Sequence, residues 1–575
     1  MIILGIFMQG PNTGACLFEN GNLVAMVEEE RFTRVKSASE AFPSKSIQFC
    51  LKKAKVTLND VSVVATSWDH DFYPVKMDQF MGGLEGRELD PLADPSESII
   101  HNKLTPAMAL SKIKIGLRKI APTAEPIIKW YPHHKCHAAS VYYLSGFEES
   151  AVLVMDGSGE NQSTTTWFGK DGELSLQSQW LLPNSMGWFY SALTEWLGFN
   201  AYSGEGKVMG LAAYGKASAD IAQKLRKVCD VGEHGNYQVD PTYIYFGERS
   251  YSKKFTDKLV ELLGEPRVPE SELSDYHINV AYETQKLLED VASRITKRLM
   301  QETGTTNLCV SGGVAMNCKM NGLLSHLECV SDIFINPASH DSGTAMGAAL
   351  LAHKEIVGDL PANRLEHAYY GPSFSDEDIE PILKHCQLKY EKVDNIAAEC
   401  ARLLAEDNII GWFQGASEFG ARALGARSIL ANPTNKDMKD IVNARVKYRE
   451  GFRPFAPSMI EEVKDKYMES PKDSPFMILA YQFKDEYKAE FPSVVHVDGS
   501  VRPQTVSKKH HPLYWNLINE FGEITGHPII INTSFNVRGE PIVNNPLDAV
   551  RCFFSTGMNV LAIGSFIIKK EGVDA

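Results

Sequence analysis

The chain lacks the marks of a secreted, membrane-spanning or zinc-ribbon protein. Its ten cysteines lie at 16, 50, 136, 229, 309, 318, 329, 386, 400 and 552, and no two form a C-x-x-C pair. That excludes a zinc ribbon and a thioredoxin-type redox pair, and leaves the cysteines as small buried hydrophobes. No apolar run approaches the roughly 20 residues that span a bilayer. The opening MIILGIFMQGPNTGACLFENG has neither the basic flank nor the long apolar core of a signal peptide. Positive charge is also short: 58 Lys and Arg against 72 Asp and Glu leave a net charge of −14. Such a chain repels polyanions on average, which argues against a nucleic-acid partner but leaves room for a local basic pocket. Low-complexity tracts and short-period repeats are absent. The reading is a cytoplasmic protein with neither membrane nor nucleic acid as partner.

What is present is the composition of a globular enzyme, 44% hydrophobic and 23% charged over 575 residues, long enough for three or four structural units. MIILGIF reads as a buried strand closing in the turn Gly10-Pro11-Asn12-Thr13-Gly14. ACLFENGNLVAMVEEE reads as a hairpin with Asn20-Gly21 at its tip. VSVVATS (61–67), AVLVMDGSG (151–159), NLCVSGGVAMN (307–317) and DIFINPASHDSGTAMGAAL (332–350) each run from an apolar strand into a turn, most of them rich in glycine. That pattern predicts an α/β nucleotide-binding domain, and a duplicated one. The polar stretch 357–380 marks a domain boundary, drawn between 375 and 376. Beyond it NIAAECARLLAED predicts an amphipathic helix, and NIIGWFQG and HPIIINTSFN predict strands.

Three constellations can carry chemistry. In His133-His134-Lys135-Cys136-His137, the first and last histidines are four residues apart and share a helix face, so both imidazoles can reach one metal. Asp156 at a strand end and Asp341 at a helix mouth can add oxygen ligands. Two His and two Asp suit a six-coordinate ion such as Fe2+ better than a closed zinc site. A bare H-x-x-x-H is more often just a polar face, and the strand-end Asp156-Gly157-Ser158-Gly159 is what shifts the balance. The second set is the glycine turns around Gly206-Lys207, Gly312-Gly313 and Gly343, whose backbone can approach phosphate or ribose. The third is basic. GASEFGARALGARSIL (415–430) holds Arg422 and Arg427, NARVKYREGFRPFAP (443–457) holds Lys447, Arg449 and Arg453, and VDGSVRPQTV (497–506) holds Arg502. Surface ion pairs are the common explanation of such charges. Their interleaving with Pro and Gly in an acidic chain favours a polyphosphate pocket. Thr533, Ser534 and Asn536 lie close in sequence to a buried strand and can serve the same ligand.

These motifs, in this order, resemble the O-carbamoyltransferases of the nodulation and antibiotic-tailoring type. The matching stretches include EEERFTR (28–34), HHKCHAAS (133–140), MDGSGE (155–160), GEGKVMGLAAYG (204–215), SGGVAMN (311–317), HDSGTAMGAAL (340–350), GARALGARSIL (420–430), FRPFAPS (452–458) and INTSFN-x-x-GEPIV (531–543), spread over nearly the whole chain. The resemblance implies a duplicated actin/sugar-kinase-like domain over 1–375 and a YrdC-like domain over 376–575. It implies an iron-like metal on His133, His137, Asp156 and Asp341, and nucleotide contacts at Gly206, Lys207, Gly312, Gly313, Asn317 and Gly343. The K-x-R and S-x-N pairs of the second domain stand here as Lys447-Tyr448-Arg449 and Ser534-Phe535-Asn536. With Arg422, Arg453 and Arg502 they would convert carbamoyl phosphate and ATP, with Mg2+, to carbamoyl adenylate. The first domain would then pass the carbamoyl group to a hydroxyl of a small natural-product acceptor of the antibiotic, toxin or lipo-oligosaccharide kind.

The chain departs from that family in one place. Pro11-Asn12 stands where members carry His-Asp, which leaves Lys36 or His134 to orient or activate the acceptor. Two other readings are a tRNA threonylcarbamoyladenosine-type enzyme, disfavoured by the missing basic stripe, and an ATP-dependent small-molecule kinase, for which the basic second domain is surplus.

Overall fold

Apolar residues fill Ile2–Phe7, and the segment forms a buried strand, β1, at the centre of a five-stranded sheet. The computed structural model describes residues 1–39, 41–72, 105–245, 253–361 and 363–570. The chain divides into two units, Met1–Glu29 with Ala38–Arg364, and Glu30–Ser37 with Leu365–Ala575.

In the first unit β1 pairs antiparallel with β2 (Gly14–Glu19), which pairs antiparallel with β3 (Asn22–Glu28). At the hairpin tip Asn20 and Gly21 both take positive φ, 49° and 79°, the tight turn that matches strand twist. Helix α1 (Ser44–Ala54) packs on β2 and β3. Then β4 (Val63–Thr66) and β5 (Ile127–Trp130) add parallel to β1, giving the order β3-β2-β1-β4-β5. After α2 (His133–Ser145) the path repeats. Strands β6 (Glu149–Gly159), β7 (Gln162–Lys170) and β8 (Glu173–Leu181) form an antiparallel meander. The long α3 (Asp275–Thr303) intervenes. Then β9 (Asn307–Ser311) adds parallel to β6, and β10 (Asp332–Ile335) parallel to β9, on either side of α4 (Cys318–Ser325). The second sheet is β8-β7-β6-β9-β10, the same order and sense as the first. The duplication expected from the strand-and-turn pattern is thus present in the topology.

Two helices knit the repeats together by crossing over. Helix α2 follows the first sheet but packs on β6 and β9, while α5 (Thr344–Val357) follows the second sheet and packs on β1 and β4. The two helices also pack on each other. A Cβ on Gly347 would stand 1.8 Å from the Cys136 carbonyl oxygen, so only glycine admits this approach. Helix α2 is buried nearly all round, His133, His134 and His137 included. Burying polar imidazoles costs free energy unless each finds a partner, which makes this helix the place to look for function.

The second unit is built on a mixed eight-stranded sheet. Its strands are β11 (Glu391–Lys392), β12 (Ile410–Phe413), β13 (Arg427–Ala431), β14 (Ala456–Ile460), β15 (Gln504–Val506), β16 (Ile529–Ser534), β17 (Val560–Ile563) and β18 (Phe566–Lys569). The order is β11-β18-β17-β12-β13-β16-β14-β15. The amphipathic helix expected after the boundary is α6 (Ile396–Ala405), which packs with α7 (Pro512–Thr525) over the sheet. Cys400, Leu404, Trp412, Tyr514, Ile518, Phe521 and Ile530 meet there, fully buried. Each large aliphatic side chain so buried contributes about 1.5–3 kcal/mol. All ten cysteines are free thiols. Among the described residues no helix is long and apolar enough to cross a membrane.

Candidate functional site

In the first unit His133 and His137 lie one turn apart at the start of α2, as their spacing predicted. Asp156 comes from the end of β6, and Asp341 opens the turn into α5. One ligand atom from each of the four lies within 4.8 Å of the others. The two Nε2 atoms are 3.1 Å apart. Asp156 Oδ2 is 3.3 and 3.4 Å from them, and Asp341 Oδ1 3.8 and 3.9 Å. The histidines are fully buried; the Asp341 side chain, 20% exposed, is the most open of the four.

Neighbouring groups fix how these side chains face. The Ser67 carbonyl, 3.1 Å from His133 Nδ1, can only accept, so that nitrogen holds the proton and Nε2 turns inward. Ser311 Oγ lies 3.1 Å from His137 Nδ1. The Gly313 N–H donates to Asp156 Oδ1 at 2.9 Å, leaving Oδ2 for the cluster. Glu160 accepts from the His133 and Asp69 amides and secures the start of α2. Ser67, Ser311 and Glu160 were not singled out from sequence. Ser67 and Ser311 stand at the carboxyl ends of parallel strands, where open α/β sheets place ligands, and that rule is the signal that finds them.

Burial and the close approach of the four groups shift all of their titrations. Burial lowers the His137 pKa to about 4. Burial also opposes a charge on His133, but Asp156, Asp341 and Glu160 outweigh it and raise its pKa to about 9. Asp341 is pushed up to about 7 by burial and the Asp156 carboxylate. Burial opposes the charge on Asp156, yet both imidazoles hold its pKa well below the usual range. Two imidazoles and two carboxylates at these separations fit one divalent cation. With bonds of about 2.1 Å an octahedral edge is about 3.0 Å and a tetrahedral edge about 3.4 Å.

The remaining first-unit residues are placed as follows. Gly312 and Gly343 donate their N–H groups to the Ser339 and His340 carbonyls, so with Gly313 all three amides have protein acceptors. Asn317 caps α4 through Met320 N–H at 3.0 Å and exchanges hydrogen bonds with Gln285. Gly206 is exposed in the first turn of the short helix Glu205–Leu211, and Lys207 lies over the Phe199 ring at 5.2 Å. His134 points away from the cluster, fully buried, with Nδ1 3.0 Å from Thr165 Oγ1.

The second unit gathers cations instead. Lys447, 5% exposed, closes a π-helical turn, Asn443–Lys447. Its Nζ donates to the Ser534 carbonyl, to Asn536 Oδ1 at 2.9 Å and to the Asn536 carbonyl at 3.1 Å, and lies 3.3 Å from Ser534 Oγ. The K-x-R and S-x-N pairs therefore meet. Burial drives the Lys447 pKa well below that of a free lysine, and Arg449, Arg453 and Lys36 add to the effect. Burial brings Arg449 down to about 9, helped by Arg453 and Arg502. Arg449 is oriented by Asn443 Oδ1 at 2.9 Å and lies over the Phe455 ring at 4.3 Å. Lys36 sits on the segment Glu30–Ser37, which belongs to this unit, although it precedes α1 of the first in sequence. Arg422 is half-buried in the loop before β13.

Arg427 corrects an expectation. It is fully buried at the start of β13 and gives its guanidinium to the Gln414, Ala426, Pro372 and Gly415 carbonyls. The Phe413 ring lies 3.7 Å away. Every residue of β13 is buried, and the guanidinium there ties loop carbonyls together rather than facing an open pocket.

One unit of this α/β protein thus gathers imidazoles and carboxylates, and the other gathers lysine and arginine side chains. The chain belongs to the carbamoyltransferase family: its residues 2–350 match the family's N-terminal region and 401–570 its C-terminal region. It is similar to nodulation protein NolNO of Sinorhizobium fredii, 34% identical over 590 residues, covering 98% of this chain and 80% of that one. It is likewise similar to nodulation protein NolO of Bradyrhizobium diazoefficiens, 36% identical over 445 residues, covering 76% and 79%. Among solved structures, HypF of T. kodakarensis is matched at 12% identity with a TM-score of 0.31, over 63% of this chain and 48% of that one.

Proposed function

We propose that this carbamoyltransferase is ATP-dependent and makes an O-carbamate by way of carbamoyl adenylate. The second unit, read as YrdC-like, forms the adenylate, and the first, read as a duplicated actin/sugar-kinase-like domain, delivers the carbamoyl group to a hydroxyl of a small natural-product acceptor. The observation that carries the reading is the crowding of Lys447, Arg449 and Arg453, each lowered in pKa by burial and by its cationic neighbours. A polyanion relieves that repulsion, and carbamoyl phosphate with the triphosphate of ATP and its Mg2+ is such a ligand.

The chemistry assigns each group a task. Water splits carbamoyl phosphate to carbamate and inorganic phosphate. A carbamate oxygen then bonds to the α-phosphorus of ATP, and the bond to the pyrophosphate oxygen breaks. Lys447, Arg449, Arg453 and Arg502 counter the charge that builds on the phosphoryl oxygens, with Arg422 at the loop before β13. Ser534 and Asn536 hold the Lys447 ammonium in place. In the second step the acceptor hydroxyl oxygen bonds to the carbamoyl carbon, AMP leaves with the bridging oxygen, and the hydroxyl proton is released. His133, His137, Asp156 and Asp341 would hold a divalent metal such as Fe2+, which when bound supplies a Lewis acid and a template. Ser67, Ser311 and Gly313 keep those four side chains aimed. The exposed Gly206 and its neighbour Lys207 are assigned to the nucleotide in this reading.

The test is pyrophosphate release. It should require carbamoyl phosphate and ATP together, and Lys447→Ala should lower it by about 10²–10³-fold, the usual effect of removing one preorganised charge-stabilising group. A small-molecule kinase would instead make ADP without carbamoyl phosphate, and that result would overturn the reading.

A further inference from the structure

The segment Glu30–Ser37 carries two arginines that hold it in the second unit. Arg31, 4% exposed, donates Nη2 to the Gly420 carbonyl at 2.8 Å. Arg34 uses both terminal nitrogens of its guanidinium. Nη1 donates to the Ile542 carbonyl at 2.6 Å and Nη2 to the Pro541 carbonyl at 2.7 Å. The Glu540 and Asp548 carboxylates stand 3.8 and 3.7 Å from it. The segment accepts strain to do this. Arg34 and Ser37 both take left-handed φ, 61° and 63°. A non-glycine residue so placed costs on the order of 1–3 kcal/mol and persists where its surroundings hold it; here Ser37 N–H is held by Glu30 Oε2 at 2.6 Å.

The turn that Arg34 grips leads to the cation cluster. The Glu540 carbonyl, one peptide from Pro541, accepts from Asn536 Nδ2 at 2.7 Å. That contact fixes which way the Asn536 amide faces. Its Oδ1 must then point to Lys447 Nζ at 2.9 Å and accept from Ser534 Oγ at 2.7 Å. A flipped amide would turn its NH2 on an ammonium.

We propose that Arg34 is a positioning residue for the phosphate-binding lysine: by clamping the Pro541 and Ile542 carbonyls it sets the Glu540 carbonyl, which orients the Asn536 amide that holds Lys447. The functional half of this proposal rests on the reading of Lys447 given above; the positional half does not. Arg34 touches neither substrate nor reacting atoms, and it works through the geometry of a turn.

The experiment uses the full chain with Arg34→Ala and Arg34→Lys, the second retaining a charge but not the fork. Competitive acetylation by acetic anhydride, read by mass spectrometry with Lys509 as internal reference, reports how tightly Lys447 is held. Arg34→Ala should raise Lys447 labelling about tenfold, the size of one lost charge-assisted hydrogen bond, with Arg34→Lys between. The KM for carbamoyl phosphate in pyrophosphate release should rise by a similar factor, with kcat less affected. Transfer from supplied carbamoyl adenylate should stay within twofold. In an Asn536→Ala background, Arg34→Ala should add nothing further to labelling. Unchanged Lys447 labelling in both variants, or an undiminished effect in the Asn536→Ala background, would overturn the proposal. If labelling rises while pyrophosphate release survives in Arg34→Ala and Lys447→Ala alike, the positional link stands and the adenylate-forming reading of Lys447 falls.

Discussion

The two units hold opposite versions of one arrangement. In the first, two imidazole Nε2 atoms stand 3.1 Å apart with two carboxylates beside them. In the second, cations face cations around Lys447. In the second cluster the cost is direct, since burying like-signed groups together opposes folding; in the first, the imidazoles and Asp156 partly offset each other while Asp341 is left crowded by the Asp156 carboxylate. On the function proposed above, the first cluster would take a cation and the second a polyanion, so the two units make separable predictions.

The comparison can be broken most sharply at His137. His137→Ala should lower transfer from supplied carbamoyl adenylate by at least about 10²-fold, since the proposed ion loses one of its four protein donors. Bound metal, read by elemental analysis, should fall with it, while pyrophosphate release should stay within threefold. Equal loss of both half-reactions would mean the clusters are not separable. A second test contrasts two cations of the second unit. Arg427→Met removes a guanidinium shared by four carbonyls and should destabilise the protein by about 3 kcal/mol in chemical denaturation. The KM for carbamoyl phosphate should be unchanged in the folded fraction. A raised KM with normal stability would put Arg427 back in the pocket. The smallest effect is expected at Ser311→Ala. Losing the partner of His137 Nδ1 should weaken metal affinity about 10-fold with no change in pyrophosphate release. Unaltered affinity would show that the buried ring needs no such support.

Much of this could be read from the chain. The spacing of His133 and His137 survives into the structure because α2 begins at His133. Asp156 and Asp341 follow strands whose apolar runs mark their ends. The hairpin at Asn20-Gly21, the helix at Ile396–Ala405 and the duplicated strand pattern were legible for the same local reasons. What was not legible depends on long-range placement. Arg422 and Arg427 occupy like positions in two Gly-Ala-Arg triplets, and only the register of β13 sends Arg427 inward. The three glycine amides that looked available to phosphate are taken by acceptors from other turns. Lys36 lies on a segment that belongs with the second unit, a placement with no sequence signature beyond a polar turn.

The most direct test of two opposite clusters with divided labour is rescue. Lys447→Ala, inactive from carbamoyl phosphate and ATP, should regain transfer to acceptor within about twofold of the unmodified enzyme when carbamoyl adenylate is supplied. Failure of the supplied intermediate to restore transfer, with the protein folded and its metal content normal, would contradict the account.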